Sequence, residues 1–361
     1  MTPPDRALLT IDLDALAHNR AVVAAEAAGA EVAAVVKADG YGLGAVPVAR
    51  RLWAEGTRSF FVARVAEGEA LRAALGGREA AIYVLDGLLP GIAERLAAAG
   101  LTPVVSTLSQ AHAALALAAP SGLYSFALQI DTGMNRQGLT LDDARALVAA
   151  PGGLRPLDVP LLVSHLGSAT EPAEVRNPEQ LARFRDARAL FPDSRASLAA
   201  SAGAFLGPDY RHDMVRAGIS LFGGGPEERP DPRLKAVATL TAPVLDIRRL
   251  QAGDRVGYGA TFTADRPMSV AVVAAGYADG VIRAAAGKGY AWAAGGRRAL
   301  LAVNMDLLVI DLGDATAEPG DPVELLGPDA LLDDLANAAG TVAHEVLVRL
   351  SPRAERVYLG A

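Results

Sequence analysis

Between residues 31 and 220 the chain alternates, eight times over, between a short apolar run and an alanine- and leucine-rich stretch with helical spacing. The runs are EVAAVVKA (31–38), SFFVA (59–63), AAIYVLD (80–86), LTPVVS (101–106), SFALQID (125–131), VPLLVSHL (159–166), RASLAAS (195–201) and MVRAGIS (214–220). Stretches such as VPVARRLWAEG (46–56) and LARFRDARALF (181–191) space their apolar residues so that a helix has one buried face. Near-continuous apolar strands joined by crossover helices require a parallel sheet covered on both sides. Eight such units predict a (β/α)8 TIM-like barrel. A doubly wound open sheet is the alternative, and the count favours closure.

The pattern changes after about residue 230. PEERPDPR (226–233) is proline-rich and charged and reads as a linker. Beyond it, short strand-like segments such as SVAVVAAGY (269–277), GYAWAAGGRRALLAV (289–303) and DLLVIDLG (306–313) are separated by Gly, Asp and Pro turns, with little helical spacing until about 331. That is the signature of a small, mainly antiparallel β domain. The predicted division is a barrel over 1–232 and a β domain over 233–361.

Composition excludes several classes. A formal charge of −7 over 361 residues argues against nucleic acid as a partner, because phosphate binding needs a basic face. With no cysteine there is no disulfide, thiolate nucleophile or thiolate metal site. The five histidines lie far apart, so no metal-ligand cluster is expected. No window of about 18 apolar residues exists, and MTPPDRALLTIDLD lacks the form of a secretion signal, so a cytoplasmic location without membrane attachment is expected. Phosphate-loop, dinucleotide, serine-hydrolase and zincin motifs are all absent.

In a parallel barrel, functional side chains gather where strands end at the C-terminal face. Polar residues break the apolar runs at such places. Lys37 closes the first run in VVKADGYG (35–42), Arg136 follows the fifth in DTGMNRQG (131–138), and His165 ends the sixth. Ser201 ends the seventh, while Arg216 and Gly218 lie in the eighth. Taken singly, such a lysine is most often a solvated surface group and such a histidine a structural one. A lysine desolvated at the mouth of a strand can instead form a Schiff base with an aldehyde cofactor. Far downstream, GDRVGYGATF (253–262) sets Tyr258 between two glycines.

These motifs, in this order over nearly the whole chain, resemble the pyridoxal phosphate (PLP) dependent alanine racemases. The resemblance implies that Lys37 is the Schiff-base lysine and that Tyr41 contacts the phosphate. DTGMNR is similar to the family's Asp-Thr-Gly-Met-x-Arg motif, carried by Asp131 to Met134 and Arg136. VSHL implies that His165 lies against the cofactor ring, and ASLAASAG (196–203) that Ser201 binds phosphate. DMVRAGISLFG (213–223) implies that Arg216 faces the pyridine nitrogen, with Gly218 and Ile219 offering amides to the phosphate. GYADGVIR (276–283) and VNMD (303–306) resemble two motifs that reach a neighbouring subunit's site through Tyr277, Met305 and Asp306.

The implied activity is interconversion of L- and D-alanine in a homodimer with shared sites. Lys37 would serve one face of the α-carbon and Tyr258 of the other subunit the opposite face. The phenol must then ionise well below its unperturbed value of about 10, and Arg136 is the cation expected to favour that. An arginine at the pyridine nitrogen cannot keep it protonated as a carboxylate would, so the electron sink is weaker and transamination has less opportunity.

Three positions depart from the family pattern. Gln129 stands where a carbamylated lysine often pairs with the motif arginine, Ala200 where asparagine often precedes the serine, and His344 where a phosphate-binding tyrosine is usual. A histidine can still donate to phosphate. Racemisation of another small amino acid such as serine is an alternative on the same scaffold. A decarboxylase of the same fold type is a more distant one, since such enzymes generally use a cysteine that this chain lacks.

Overall fold

A computed structural model describes residues 6–122, 125–150 and 158–360. The chain forms two compact units, Arg20–Leu221 and Met1–Asn19 together with Phe222–Ala361.

The first unit is an eight-stranded parallel barrel, and each predicted apolar run contains one of its strands. These are β2 (Glu31–Val35), β3 (Ser59–Val62), β4 (Ala81–Val84), β5 (Thr102–Val105), β6 (Ala127–Gln129), β7 (Leu161–Val163), β8 (Arg195–Ser197) and β9 (Met214–Ala217). Neighbours pair in chain order from β2 to β8, and β9 pairs in parallel with β2, Glu31 lying opposite Met214. The last seam closes where Asp213 N–H donates to Ala196 O and Arg216 N–H to Ala199 O, both at 3.0 Å. Inward residues of seven strands, Ala33, Phe61, Tyr83, Val104, Ala127, Leu161, Val163 and Met214, form one buried cluster in which Phe61 stacks on Tyr83 at 4.7 Å. The interior is therefore packed, and chemistry is confined to the strand ends.

The second unit is mainly antiparallel. Its long strand β10 (Ala238–Leu250) pairs through its first half with Pro322–Leu326 and, after a register shift between Val244 and Asp246, through its second half with Met268–Val273. That bend lets one strand close a sheet that runs on through Leu308–Asp311, Gly296–Val303 and Tyr290–Ala293. On the other edge of β10 lies β1 (Leu8–Asp12), antiparallel to β10 and parallel to Glu355–Leu359.

The segment read as a linker is tied down within this unit. Asn337 Nδ2 donates to Glu228 O (3.0 Å), and Gly225 N–H donates to the carboxylate of Asp333 (2.9 Å), a buried residue in helix Leu332–Ala339. Burial pushes the Asp333 carboxyl up to about 6, reinforced by Asp334 and Glu228 and opposed by the Gly225 N–H. Its folded value lies above the unfolded range of about 3.9. The stability it contributes is thus complete below pH 4 and lost as pH rises through about 6. Asp333→Asn keeps an acceptor for Gly225. Thermal unfolding should show the variant more stable than the parent at pH 7.5, by about 1–3 kcal/mol, with the gap shrinking towards pH 4.5.

Candidate active site

Lys37 begins immediately beyond β2, after Val36 N–H has made a last sheet bond to Phe61 O (2.9 Å). The next residues turn the wrong way for a helix of L-amino acids. Ala38, Asp39, Gly40 and Tyr41 have φ of 53°, 55°, 63° and 58°. Each non-glycine residue there costs about 1–2 kcal/mol. Bonds offset that cost: Gly40 N–H to Val36 O, Gly44 N–H to Asp39 O, Ala45 N–H to the Asp39 carboxylate (2.8 Å) and Ala38 N–H to the Glu67 carboxylate (2.8 Å). Glycine also suits position 40 by contact, because a Cβ there would sit a tight 3.1 Å from the backbone of Ala45. The turn half-buries Lys37 and buries the Tyr41 ring.

Across the mouth, Arg216 is a buried guanidinium that three strands share. Nη1 donates to Ser197 O and Ser197 Oγ, both at 2.7 Å, and Nη2 to Ser164 O (2.6 Å). Nη2 also meets His165 Nδ1 at 3.2 Å. A guanidinium only donates, so Nδ1 is the acceptor and the ring proton of His165 sits on Nε2. The position of His165 is fixed from behind by Gln180, which is fully buried. Its Nε2 donates to His165 O (3.0 Å) and Thr132 Oγ1 (3.2 Å), and its Oε1 accepts Gly167 N–H (2.7 Å).

The loop bearing Arg136 is equally constrained. The Asp131 carboxylate collects the N–H groups of Gly133, Met134 and Asn135, while Arg176 and Arg183 donate to the carbonyls of Gly133 and Thr132. Gln129, buried, donates to Gln137 O (3.1 Å), so the neutral side chain braces the loop without bringing a charge to the exposed Arg136. The charge of Arg136 acts on two neighbours. It lowers the Lys37 pKa, together with the larger effect of burial and against the anions Glu67 and Asp86. It also pushes Arg216 down, again after burial. Among the described residues, Lys37, Arg136 and Arg216 form no ion pair with a carboxylate.

Beside these cations lies a polar cradle. The N–H groups of Gly218 and Ser220 point at Ser201 Oγ (2.9 and 3.3 Å), at the start of the short 3-10 turn Ile219–Phe222. Burial raises the Tyr41 pKa, so its hydroxyl stays a donor, and a Cβ on Gly218 would lie 2.3 Å from it. Ser220 Oγ is buried without a hydrogen-bond partner among the described residues.

The remaining sequence-derived candidates belong to the second unit. Tyr258 heads a 3-10 turn, Tyr258–Ala260, and is 76% exposed. Tyr277 N–H bonds Asn304 O and Ala278 N–H bonds Met305 O, both at 3.0 Å. A Cβ on Gly276 would strike those two carbonyls at 2.3 and 2.4 Å, so glycine permits the turns to touch. Gly257 in turn lies against Ala302 and Asn304. Tyr258, Tyr277, Met305 and Leu307 thus share one rim, all exposed, and Asp306 there pairs with Arg353. His344 is exposed in the first turn of helix Ala343–Arg349.

Residues 11–226 match the sequence pattern of the alanine racemase N-terminal domain and 237–358 that of its C-terminal domain. The chain belongs to the alanine racemase family. It is 41% identical to a catabolic alanine racemase of Agrobacterium fabrum over 97% of this chain and 92% of that one. It is 42% identical to an alanine racemase of Methylobacterium nodulans over 98% and 96%. Among solved structures it superposes on the alanine racemase of Bartonella henselae, which carries covalently bound pyridoxal phosphate, with a TM-score of 0.92 and 34% identity over 99% and 100% of the chains. The biosynthetic alanine racemase of Pseudomonas aeruginosa gives 0.89 and 33% over 99% and 100%.

Within this alanine racemase barrel, the sequence-derived residues Lys37, Tyr41, Arg136, His165, Ser201, Arg216, Gly218 and Ile219 all lie in the loops and strand ends just described. Gln180, Ser220 and Glu67 are joined to them by the fold, and no motif flags them in sequence. Replacing Gly218 by alanine should force the buried Tyr41 ring to move, lowering stability by about 1–3 kcal/mol. Thermal unfolding and the near-ultraviolet circular dichroism of the tyrosines check this.

Proposed function

We propose that this chain is a PLP-dependent racemase that interconverts L- and D-alanine, working in the cytoplasm as a homodimer with shared sites. Its product would supply, or its reaction consume, D-alanine in peptidoglycan metabolism. One observation carries the reading: at the strand ends of the barrel, half-buried Lys37 follows β2, buried Arg216 on β9 meets His165 Nδ1, and the Gly218 and Ser220 amides converge on Ser201 Oγ. Family membership supports alanine as the substrate.

The residues present fit the cofactor. A phosphate matches the convergent Gly218 and Ser220 amides, the Ser201 and Tyr41 hydroxyls and the unpartnered Ser220 Oγ. Lys37 would hold the aldehyde carbon, Arg216 would face the ring nitrogen and His165 the ring, with Ile219 and His344 as further phosphate contacts. When bound, pyridoxal phosphate supplies an electron sink for the pair left as the α-proton departs.

The protein's own part is to hold and move protons. Lys37 Nζ takes or returns the proton on one face of the α-carbon. Burial and Arg136 lower its pKa, so more of the amine is in its basic form near neutral pH than for a free lysine. Tyr258 Oη of the partner subunit serves the other face. Arg136 meets the substrate carboxylate, and Tyr277, Met305 and Asp306 of the partner subunit limit the side chain to a small group. The exposure of Tyr258, Tyr277 and Met305 on one rim supports their being covered by a second copy.

Purified protein should equilibrate either enantiomer of alanine, followed by circular dichroism or a chiral assay, and should release no carbon dioxide. Lys37→Ala should abolish both turnover and the visible absorbance of bound cofactor; substantial turnover by that variant would refute the assignment. Tyr258→Phe should keep the absorbance and lose about 10²- to 10⁴-fold in kcat for the direction that the phenol initiates. On dilution to monomers, measured by analytical ultracentrifugation, activity should vanish.

A further inference from the structure

The side chain of Glu67 performs two tasks at once. It is the third residue of helix Val65–Leu75, which follows β3, and its Oε2 accepts the N–H groups of Ala63 (2.7 Å) and Arg64 (3.1 Å) at the helix start. That half is an ordinary N-terminal cap. Its Oε1 crosses to the preceding β/α unit and accepts Ala38 N–H at 2.8 Å, the first amide after Lys37 and the first residue of the left-handed turn. A bond at that amide fixes the peptide that joins Lys37 to the turn and opposes relaxation of Ala38 and Asp39 towards ordinary φ.

We propose that Glu67 is a positioning residue for Lys37, tethering the strained turn behind the lysine to the start of the next helix and holding a carboxylate next to the lysine's own peptide. The groups facing Lys37 are Arg136 from the loop after β6, Glu67, and Asp86 just beyond β4. Of the two anions, Glu67 acts more strongly, and both oppose burial and Arg136. The basicity of Lys37 is thereby a balance, with Glu67 and Asp86 favouring the protonated amine against burial and Arg136.

The inference rests on the reading of Lys37 as the cofactor-bearing lysine, and two substitutions in the holoenzyme separate the tether from the charge. Glu67→Gln removes the charge and, having one acceptor oxygen, can satisfy either the helix start or Ala38 but not both. Glu67→Asp keeps the charge but is one methylene shorter, so it can cap the helix without reaching Ala38. The readouts are the pH midpoint of the visible absorbance of bound cofactor, the melting temperature and kcat/KM.

Glu67→Gln should lower the midpoint by about one pH unit and kcat/KM by about tenfold. Glu67→Asp should leave the midpoint near that of the parent while still losing about tenfold in kcat/KM. A Glu67→Gln enzyme with unchanged midpoint and kcat/KM, differing only in melting temperature, would show a helix cap and nothing more. Should Glu67→Gln not fold, unchanged kcat/KM in Glu67→Asp overturns the tether by itself. A parent protein with no visible absorbance after incubation with pyridoxal phosphate would instead defeat the lysine assignment, a separate failure.

Discussion

The mouth of the barrel is organised around one buried cation. Arg216 can only donate, and burying a guanidinium costs several kcal/mol unless its donors are met. They are met by Ser164 O and His165 Nδ1 at the end of β7 and by Ser197 O and Oγ at the end of β8, while Arg216 itself belongs to β9. The last three strands are thus held together at their functional ends by one side chain, at the seam where the barrel closes. Because the acceptors are carbonyls, a hydroxyl and a ring nitrogen, no carboxylate among the described residues pairs with this cation.

That charge determines the character of the site. Arg136 lies near enough to Arg216 and Lys37 to lower both, and Gln129 offers its loop a hydrogen bond without a charge. Arg136 thus repels each of the other two cations, while Glu67 and Asp86 offset part of that repulsion at Lys37. The convergent amides of Gly218 and Ser220 point to an anionic ligand. Strain adds to this: the left-handed turn after Lys37 is retained because bonds from Asp39 and Glu67 hold it. Repulsion and backbone strain are both concentrated within the loops that the alanine racemase reading assigns to cofactor and substrate.

The second unit is built with a different device. Gly257 and Gly276 let three turns crowd together without side chains between them, and this brings Tyr258, Tyr277 and Met305 onto one exposed rim. Asp279, buried, steadies the arrangement by accepting Gly276 N–H (2.9 Å) and facing Arg353, which also pairs with Asp306.

Much of this was legible in the residues themselves. The eight apolar runs mark the barrel strands because strand burial leaves a continuous local trace, and Lys37, His165 and Ser201 stand out as polar residues where such runs stop. The switch to short strands after 230 was visible for the same reason. What the sequence could not carry are partnerships without periodicity: Glu67 with Ala38 across 29 residues, Arg216 with His165 across 51, and β1 beside strands more than two hundred residues later. A hydrogen bond or a Coulomb interaction depends on distance in space, and nothing in the local order of side chains encodes that distance. Local pattern therefore determined which elements form and what chemistry their ends bear, while closure of the barrel decided which of those ends act on one another.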